Sequence, residues 1–243
     1  HLPFSAPERC WKIYDYIEIP YATNPFLPKR TENWMACNWE ELRSYSDIPN
    51  QGLLTLEKGK ELIQGYFATV SFVDDQIGRL LKTLDELGLR KNTIIVFWSD
   101  HSFHLGENGI WAKHVNWELT NRIPVIISLP KQKTKGEMSD ALVELIDLYP
   151  TIADLAGLPL PQHLDGKSLK PLLHDPKKTW SNAALSQYKR GDKMSYSIRT
   201  ERYRYSEWRK IGLTPPKIEG RELYDLKMDP QGNVNLASSS EHA

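Results

Sequence analysis

Residues 93–98 read Thr93-Ile-Ile-Val-Phe-Trp98, and residues 124–129 read Pro124-Val-Ile-Ile-Ser-Leu129. Both runs are apolar and rich in β-branched residues, with no polar alternation. That composition suits strands buried on both faces, as in a parallel sheet between helices. Upstream, Leu62, Tyr66, Val70, Val73, Ile77, Leu80, Leu84 and Leu87 recur at steps of three and four, so a long helix from about Thr55 presents one apolar stripe. Gly88 follows the last stripe residue, where a helix end favours a residue tolerant of positive φ. Downstream, Leu142, Leu145, Leu148, Ile152 and Leu155 predict a second amphipathic helix over Asp140–Ala156, ending before Gly157. Helix, strand, loop, strand, helix defines an α/β fold.

Outward from this unit the chain changes character twice. Residues up to about Leu53 are rich in Pro, aromatics and Asn without a sustained period, and predict an ordered, irregular excursion pinned by Trp11, Trp34 and Trp39. Pro159, Pro161, Pro171 and Pro176 mark a crossing over 159–181. Beyond it, Ala183–Tyr188, Ser195–Arg199, Arg202–Trp208 and Glu222–Leu226 read as short antiparallel strands, with a hairpin at Thr200-Glu201. Residues 1–158 therefore form one unit and 182–243 a small C-terminal α+β subdomain.

Lysine plus arginine balance aspartate plus glutamate at 31 each, so bulk charge argues against a nucleic-acid partner. Tyr203, Tyr205 and Trp208 alternate with Arg202, Arg204 and Arg209, and a half-buried hairpin explains this more simply than a base-stacking platform. Asp74 and Asp75 read as a solvated helix face. No apolar run approaches the roughly 20 residues of a membrane span. Cys10 and Cys37 are too few for a disulfide framework. The chain opens on His1 rather than Met and reads as a piece of a longer product.

The segment from Ser99 to Lys113 holds the densest chemistry, and it starts where a strand ends. Ligands of open α/β sheets bind at the carboxyl ends of strands. Adjacent Asp100 and His101 can share a divalent cation, or Asp100 can cap a turn while His101 packs beneath the loop. Gly106 and Gly109 can bend the loop so that Lys113 returns toward the pair, a point charge for sulfate or phosphate; alone it reads as a surface lysine.

In combination, Ser99-Asp-His101, Leu105-Gly-Glu-Asn-Gly109 and Trp111-Ala-Lys113 resemble the second metal-binding motif of type I sulfatases, of the alkaline-phosphatase superfamily. Trp117-Glu-Leu-Thr-Asn-Arg-Ile-Pro124, Tyr66-Phe-Ala-Thr-Val-Ser71, Asp165-Gly-Lys-Ser-Leu169 and Glu222-Leu-Tyr-Asp-Leu226 fit the same family in order. Ser195-Tyr-Ser-Ile-Arg-Thr200 with Tyr203-Arg-Tyr205 is most similar to the iduronate-2-sulfatase branch, and His1-Leu-Pro-Phe4 to the end of its Lys-Pro-His motif. The resemblance implies the later part of an alkaline-phosphatase-like α/β/α sandwich with a small C-terminal antiparallel subdomain. It implies hydrolysis of a sulfated sugar, as in glycosaminoglycan degradation, with the N-terminal remainder of the same protein as partner. The expected setting is periplasmic, extracellular or lysosomal.

Carried over, Asp100 and His101 would bind the cation, Ca²⁺ in most of the family. Lys113 and His1 would act on the sulfate, and His104 could touch a sugar carboxylate or simply hydrogen-bond within its loop. The family's formylglycine nucleophile is expected upstream, because neither Cys10 nor Cys37 lies in its Cys-x-Pro-x-Arg context, so the chain alone is expected to be inactive. Ser102 stands where the family usually has Gly, a departure that costs stability if the position needs positive φ. A phosphodiesterase or phosphonate hydrolase of the same superfamily, and a non-catalytic sulfated-glycan binding protein, are the alternatives.

Overall fold

A computed structural model describes residues 2–239 of the chain. The first stretch contains two single-turn helices, α1 (Glu8–Trp11) and α2 (Glu40–Arg43), and 3₁₀ turns at Tyr16–Glu18 and Asn33–Met35, joined by irregular backbone. It packs onto the N-terminal half of α3 (Leu56–Glu86). Thr55 caps that helix, its Oγ1 accepting from the Lys58 amide at 3.2 Å, and Gly88 takes φ 65° just beyond the other end. The predicted stripe divides along its length. Leu62 and Tyr66 join the core beside buried Ile63, whereas Val70, Val73, Leu80 and Leu87 are exposed.

β1 (Ile95–Trp98) and β2 (Val125–Ser128) form an antiparallel pair, not the parallel arrangement that their composition favours. They are also not buried on both faces. Val96, Val125 and Ile127 pack on Leu148, Leu169 and Leu172, while Phe97 and Ile126 on the opposite face are exposed, Ile126 at 59%. Both faces are apolar because of the residue choice, but among the described residues only one is covered.

Between the two strands lie a loop and the single turn α4 (Glu118–Asn121). After β2 the second helix is shorter than its period implies. α5 spans Leu148–Leu155 and is preceded by a 3₁₀ turn at Leu145–Asp147, while Asp140–Glu144 is not helical. The cause is local. Glu144 and Asp147 cap each other's backbone in a reciprocal box, and Pro150 fits only a first turn, where its missing N–H costs nothing. Gly157 closes the helix at φ 72°.

The proline-rich crossing is not slack. It contains α6 (Lys170–His174), and Leu169 and Leu172 are buried against the first unit. Gly166 sits so close to the Ile146 carbonyl that a Cβ there would collide with it, while Thr151 and Asp154 anchor Ser168, Leu169 and Lys170.

β3 (Ala183–Arg190), β4 (Lys193–Thr200), β5 (Tyr203–Lys210) and β6 (Ile218–Asp225) form an antiparallel meander in sequence order, with the hairpin turn after Thr200. On β5 it is Arg204, Ser206 and Trp208 that face inward, so the alternation follows the pleat rather than the aromatics. The tail then returns to the first stretch: the Lys29 amide donates to Asn233 and the Asn235 amide to Lys29. The main core lies between the irregular stretch, the start of α3 and the loop after β1, with Phe4, Trp39, Phe103, Trp111 and Trp117 in one cluster.

Candidate active site

The loop after β1 is a folded layer. Ser102 donates to Thr120, His104 to Ala112 and Gly106 to Ile110 through backbone amides, which doubles the loop back on itself. The bend needs left-handed backbone at Gly106 (φ 103°), Asn108 (φ 53°) and Gly109 (φ 70°). Gly109 also has no room for a side chain, since a Cβ would lie 2.9 Å from the Leu27 amide nitrogen. Ser102 is not among the residues of positive φ, so the departure from glycine imposes no backbone strain.

At the start of the loop, the Asp100 side chain is 82% exposed and one of its oxygens accepts from the His101 amide. His101 Nδ1 lies 3.0 Å from the Ser102 carbonyl, an acceptor, so Nδ1 carries the hydrogen. In the neutral ring that leaves the Nε2 lone pair facing Asp100 Oδ2 at 3.5 Å. Two acceptors so placed repel unless a proton or a cation lies between them. A backbone carbonyl holding the far side of an imidazole is also the usual support for a metal-binding histidine. The donor set therefore fits a divalent cation, but as a partial set. No cluster of three or more His, Cys, Asp or Glu that could hold a metal occurs among the described residues.

Lys113 stands at the other arm of the loop, with its side chain 16% exposed. Its Nζ is 2.8 Å from Glu41 Oε2 on α2, and that carboxylate is 32% exposed. The Lys113 hydrogen bond holds the Glu41 carboxyl below its ordinary range, despite partial burial. His114 stacks on Tyr188. Burial, then Lys113, lowers the His114 pKa against the opposing pull of Glu41 and Glu40, and His101 also depresses it. His101, Lys113, His114, Glu40 and Glu41 thus share one electrostatic neighbourhood.

Lys113 and its neighbours are held from the small sheet. Arg190, at the end of β3, donates to the Trp34 carbonyl at 3.0 Å and to the His114 carbonyl. Asn116 donates to Ser195 Oγ at 3.1 Å, and Trp117 Nε1 to Glu222 Oε1 at 2.9 Å. Glu118 Oε2 accepts from Arg199 Nε at 2.9 Å and Arg204 Nη2 at 2.8 Å. Glu222 also accepts from Trp208 and Tyr224, yet burial outweighs these bonds and raises its pKa.

His104 has 0% exposure. Its Nδ1 lies 3.1 Å from the Glu107 carbonyl, its ring meets Trp117 edge-on, and Nε2 has no partner. Burial pushes its pKa down to about 4. The ring braces the loop and is closed off from any sugar on the surface. Cys10 and Cys37 are both free and buried, and burial raises the Cys37 thiol pKa. His1 lies outside the described residues. A cavity of about 360 Å³ opens beside Ser102, Asn24 and Arg204, but none of Asp100, His101 or Lys113 lines it.

Of the proposed groups, Asp100, His101 and Lys113 are legible from the position of the loop after a strand. Glu41 and His114 are not: Glu41 lies in aperiodic sequence, and only adjacency to Lys113 marks His114.

Comparisons with known proteins bear on the same residues. Residues 1–158 match the sulfatase family, and residues 106–243 match the C-terminal region of N-sulphoglucosamine sulphohydrolase. Iduronate 2-sulfatase of Homo sapiens is 32% identical over 314 aligned positions, covering 99% of this chain and 57% of that protein. The chain thus spans little more than half the length of this relative. A solved complex with the substrate D-glucosamine-2-N,6-O-disulfate is 36% identical, with a TM-score of 0.68 over 76% of this chain and 38% of the other. A phosphonate monoester hydrolase from Silicibacter pomeroyi shares the fold at a TM-score of 0.83 over all of this chain and 51% of its own, at 23% identity. The family match takes in the strand pair, the loop and the Asp100–Lys113 constellation together, and this chain belongs to the sulfatase family.

Proposed function

We propose that this chain forms the later part of a sulfuric ester hydrolase acting on a sulfated sugar, with the iduronate-2-sulfate class favoured. The observation that carries the reading is the His101–Asp100 pair, with Nε2 and Oδ2 3.5 Å apart just beyond a strand end and a lysine on the returning arm of the same loop. Asp100 and His101 would hold a divalent cation, Ca²⁺ on family grounds. When bound, it would polarise the sulfate and offset developing negative charge. On family grounds the nucleophile would be a formylglycine, and neither Cys10 nor Cys37 lies in its sequence context.

The roles of this chain's own groups follow from their surroundings. The Ser102 carbonyl holds the His101 ring by Nδ1, which leaves Nε2 on the side of Asp100. Lys113 supplies a fixed positive charge for a sulfate oxygen and for the departing alkoxide, and its low exposure strengthens that interaction over one in open water. Burial of Ala112 and the Arg190 bond to the His114 carbonyl hold the backbone on either side of the lysine. His1, on family grounds, would serve the same sulfate. The extracytoplasmic setting belongs to the same proposal, and no helix among the described residues is long and apolar enough to cross a membrane.

The test is turnover by the full-length product carrying this chain, with three substrates in parallel: a 2-O-sulfated uronate disaccharide, glucosamine 6-sulfate and a phosphonate monoester. Release of sulfate is expected, fastest from the uronate. In Lys113→Ala, kcat should fall by about 10²–10³-fold, the scale for losing one charge-stabilising donor. Turnover of the phosphonate alone would move the assignment to phosphoryl chemistry. Glycan binding without turnover would make the protein a binding module.

A further inference from the structure

Glu41 belongs to no family motif in this sequence, yet it is the carboxylate that meets Lys113. Its position is built. Leu42, next to it on α2, is buried in the main core. Arg43 donates to the Asn38, Pro49 and Gly52 carbonyls at 2.9, 2.6 and 2.9 Å, and its guanidinium lies 3.9 Å over the Trp39 ring. Five anchors for one turn of helix are more than a solvent-facing acid requires. On the other side, Lys113 leaves a loop bound to the small sheet through the His114 carbonyl and Asn116. Two pre-set groups thus meet in a partly buried pair, where the attraction exceeds that of a surface ion pair.

We infer that Glu41 is the positioning residue for Lys113: its carboxylate holds the ammonium in place and weakens the grip of the lysine on a resting anion. The inference rests on the sulfatase reading for the identity of the reacting group, but not for the pair itself. Without Glu41 the ammonium is free to swing. A carboxylate beside an anion-binding site also repels the sulfate before reaction, so it lowers ground-state affinity while preserving alignment. Geometry and charge should therefore respond to different substitutions.

The experiment uses the full-length product and two readouts: sulfate-ester kinetics, and calorimetric binding of inorganic sulfate. In Glu41→Gln, which keeps the shape and removes the charge, inorganic sulfate should bind about 3–10-fold tighter, with kcat reduced. In Glu41→Asp, which keeps the charge and shortens the reach, sulfate affinity should stay near that of the unaltered protein while kcat falls about tenfold. A purely structural role predicts neither split. Activity falling only in step with the folded fraction, with sulfate affinity constant across the variants, would overturn the inference. So would unchanged kcat and unchanged affinity in both. If the unaltered protein cleaves no sulfate ester, the sulfatase reading fails on its own, and the calorimetric arm still decides the role of Glu41.

Discussion

His104 illustrates how far a residue's surroundings can depart from what its position in a motif implies. On paper it is a loop histidine beside a candidate metal pair; in the fold its ring is sealed under Trp117 with one nitrogen unpartnered. Burial lowers its pKa from 6.5 to about 4, so between those values the folded protein binds fewer protons than the unfolded chain. Stability present above about pH 6.5 is therefore lost as pH falls toward 4, by on the order of 3 kcal/mol for this one group. Denaturant unfolding of the full-length product at about pH 7.5 and about pH 4.5 should show that loss, and His104→Asn should flatten it. Equal pH dependence in both proteins would assign the acid sensitivity elsewhere. Asp100 and His101 were legible because strand ends expose side chains to loops. Glu41 was not, since only the folding of an aperiodic stretch carries it to Lys113.

At the scale of elements, α4 is a single turn whose importance lies in one side chain. Glu118 is largely buried, and burial alone would raise its pKa; Arg204 and Arg199 reverse that and hold it below the ordinary carboxylate range. Arg204 is itself buried. Removing the carboxylate leaves two guanidinium groups facing each other without a counter-charge. Glu118→Ala is expected to cost about 3–5 kcal/mol, read as a shift in denaturant midpoint of the full-length product. A loss under about 1 kcal/mol would mean that the cluster is solvated like a surface pair. The sequence disclosed the four short strands well, because alternation and turn residues are local signals. It overstated the helix at 140–156, because a periodic apolar pattern does not register the mutual capping of Glu144 and Asp147.

The whole molecule shows a two-sided pattern with one-sided cover. The far half of α3 and the Phe97–Ile126 face of the strand pair expose apolar side chains that composition marks as core. Sequence reveals that a surface is meant to be buried, but not what buries it, because the covering residues are not written in the strand. Contiguous apolar faces and unpaired strand edges make a chain prone to association. The isolated 243-residue chain is therefore expected to lack a cooperative thermal transition and to bind a hydrophobic dye such as ANS. A sharp two-state melt without dye binding would show that these residues stand as a unit by themselves. The bonds from Arg190, Ser195, Arg199, Arg204 and Glu222 to residues 114–118 have a different consequence, for modularity. A chimera that imports residues 182–239 from a relative keeps the loop after β1 in place only if its five donor and acceptor positions match. Grafting the small sheet and repositioning Lys113 are then one operation, not two.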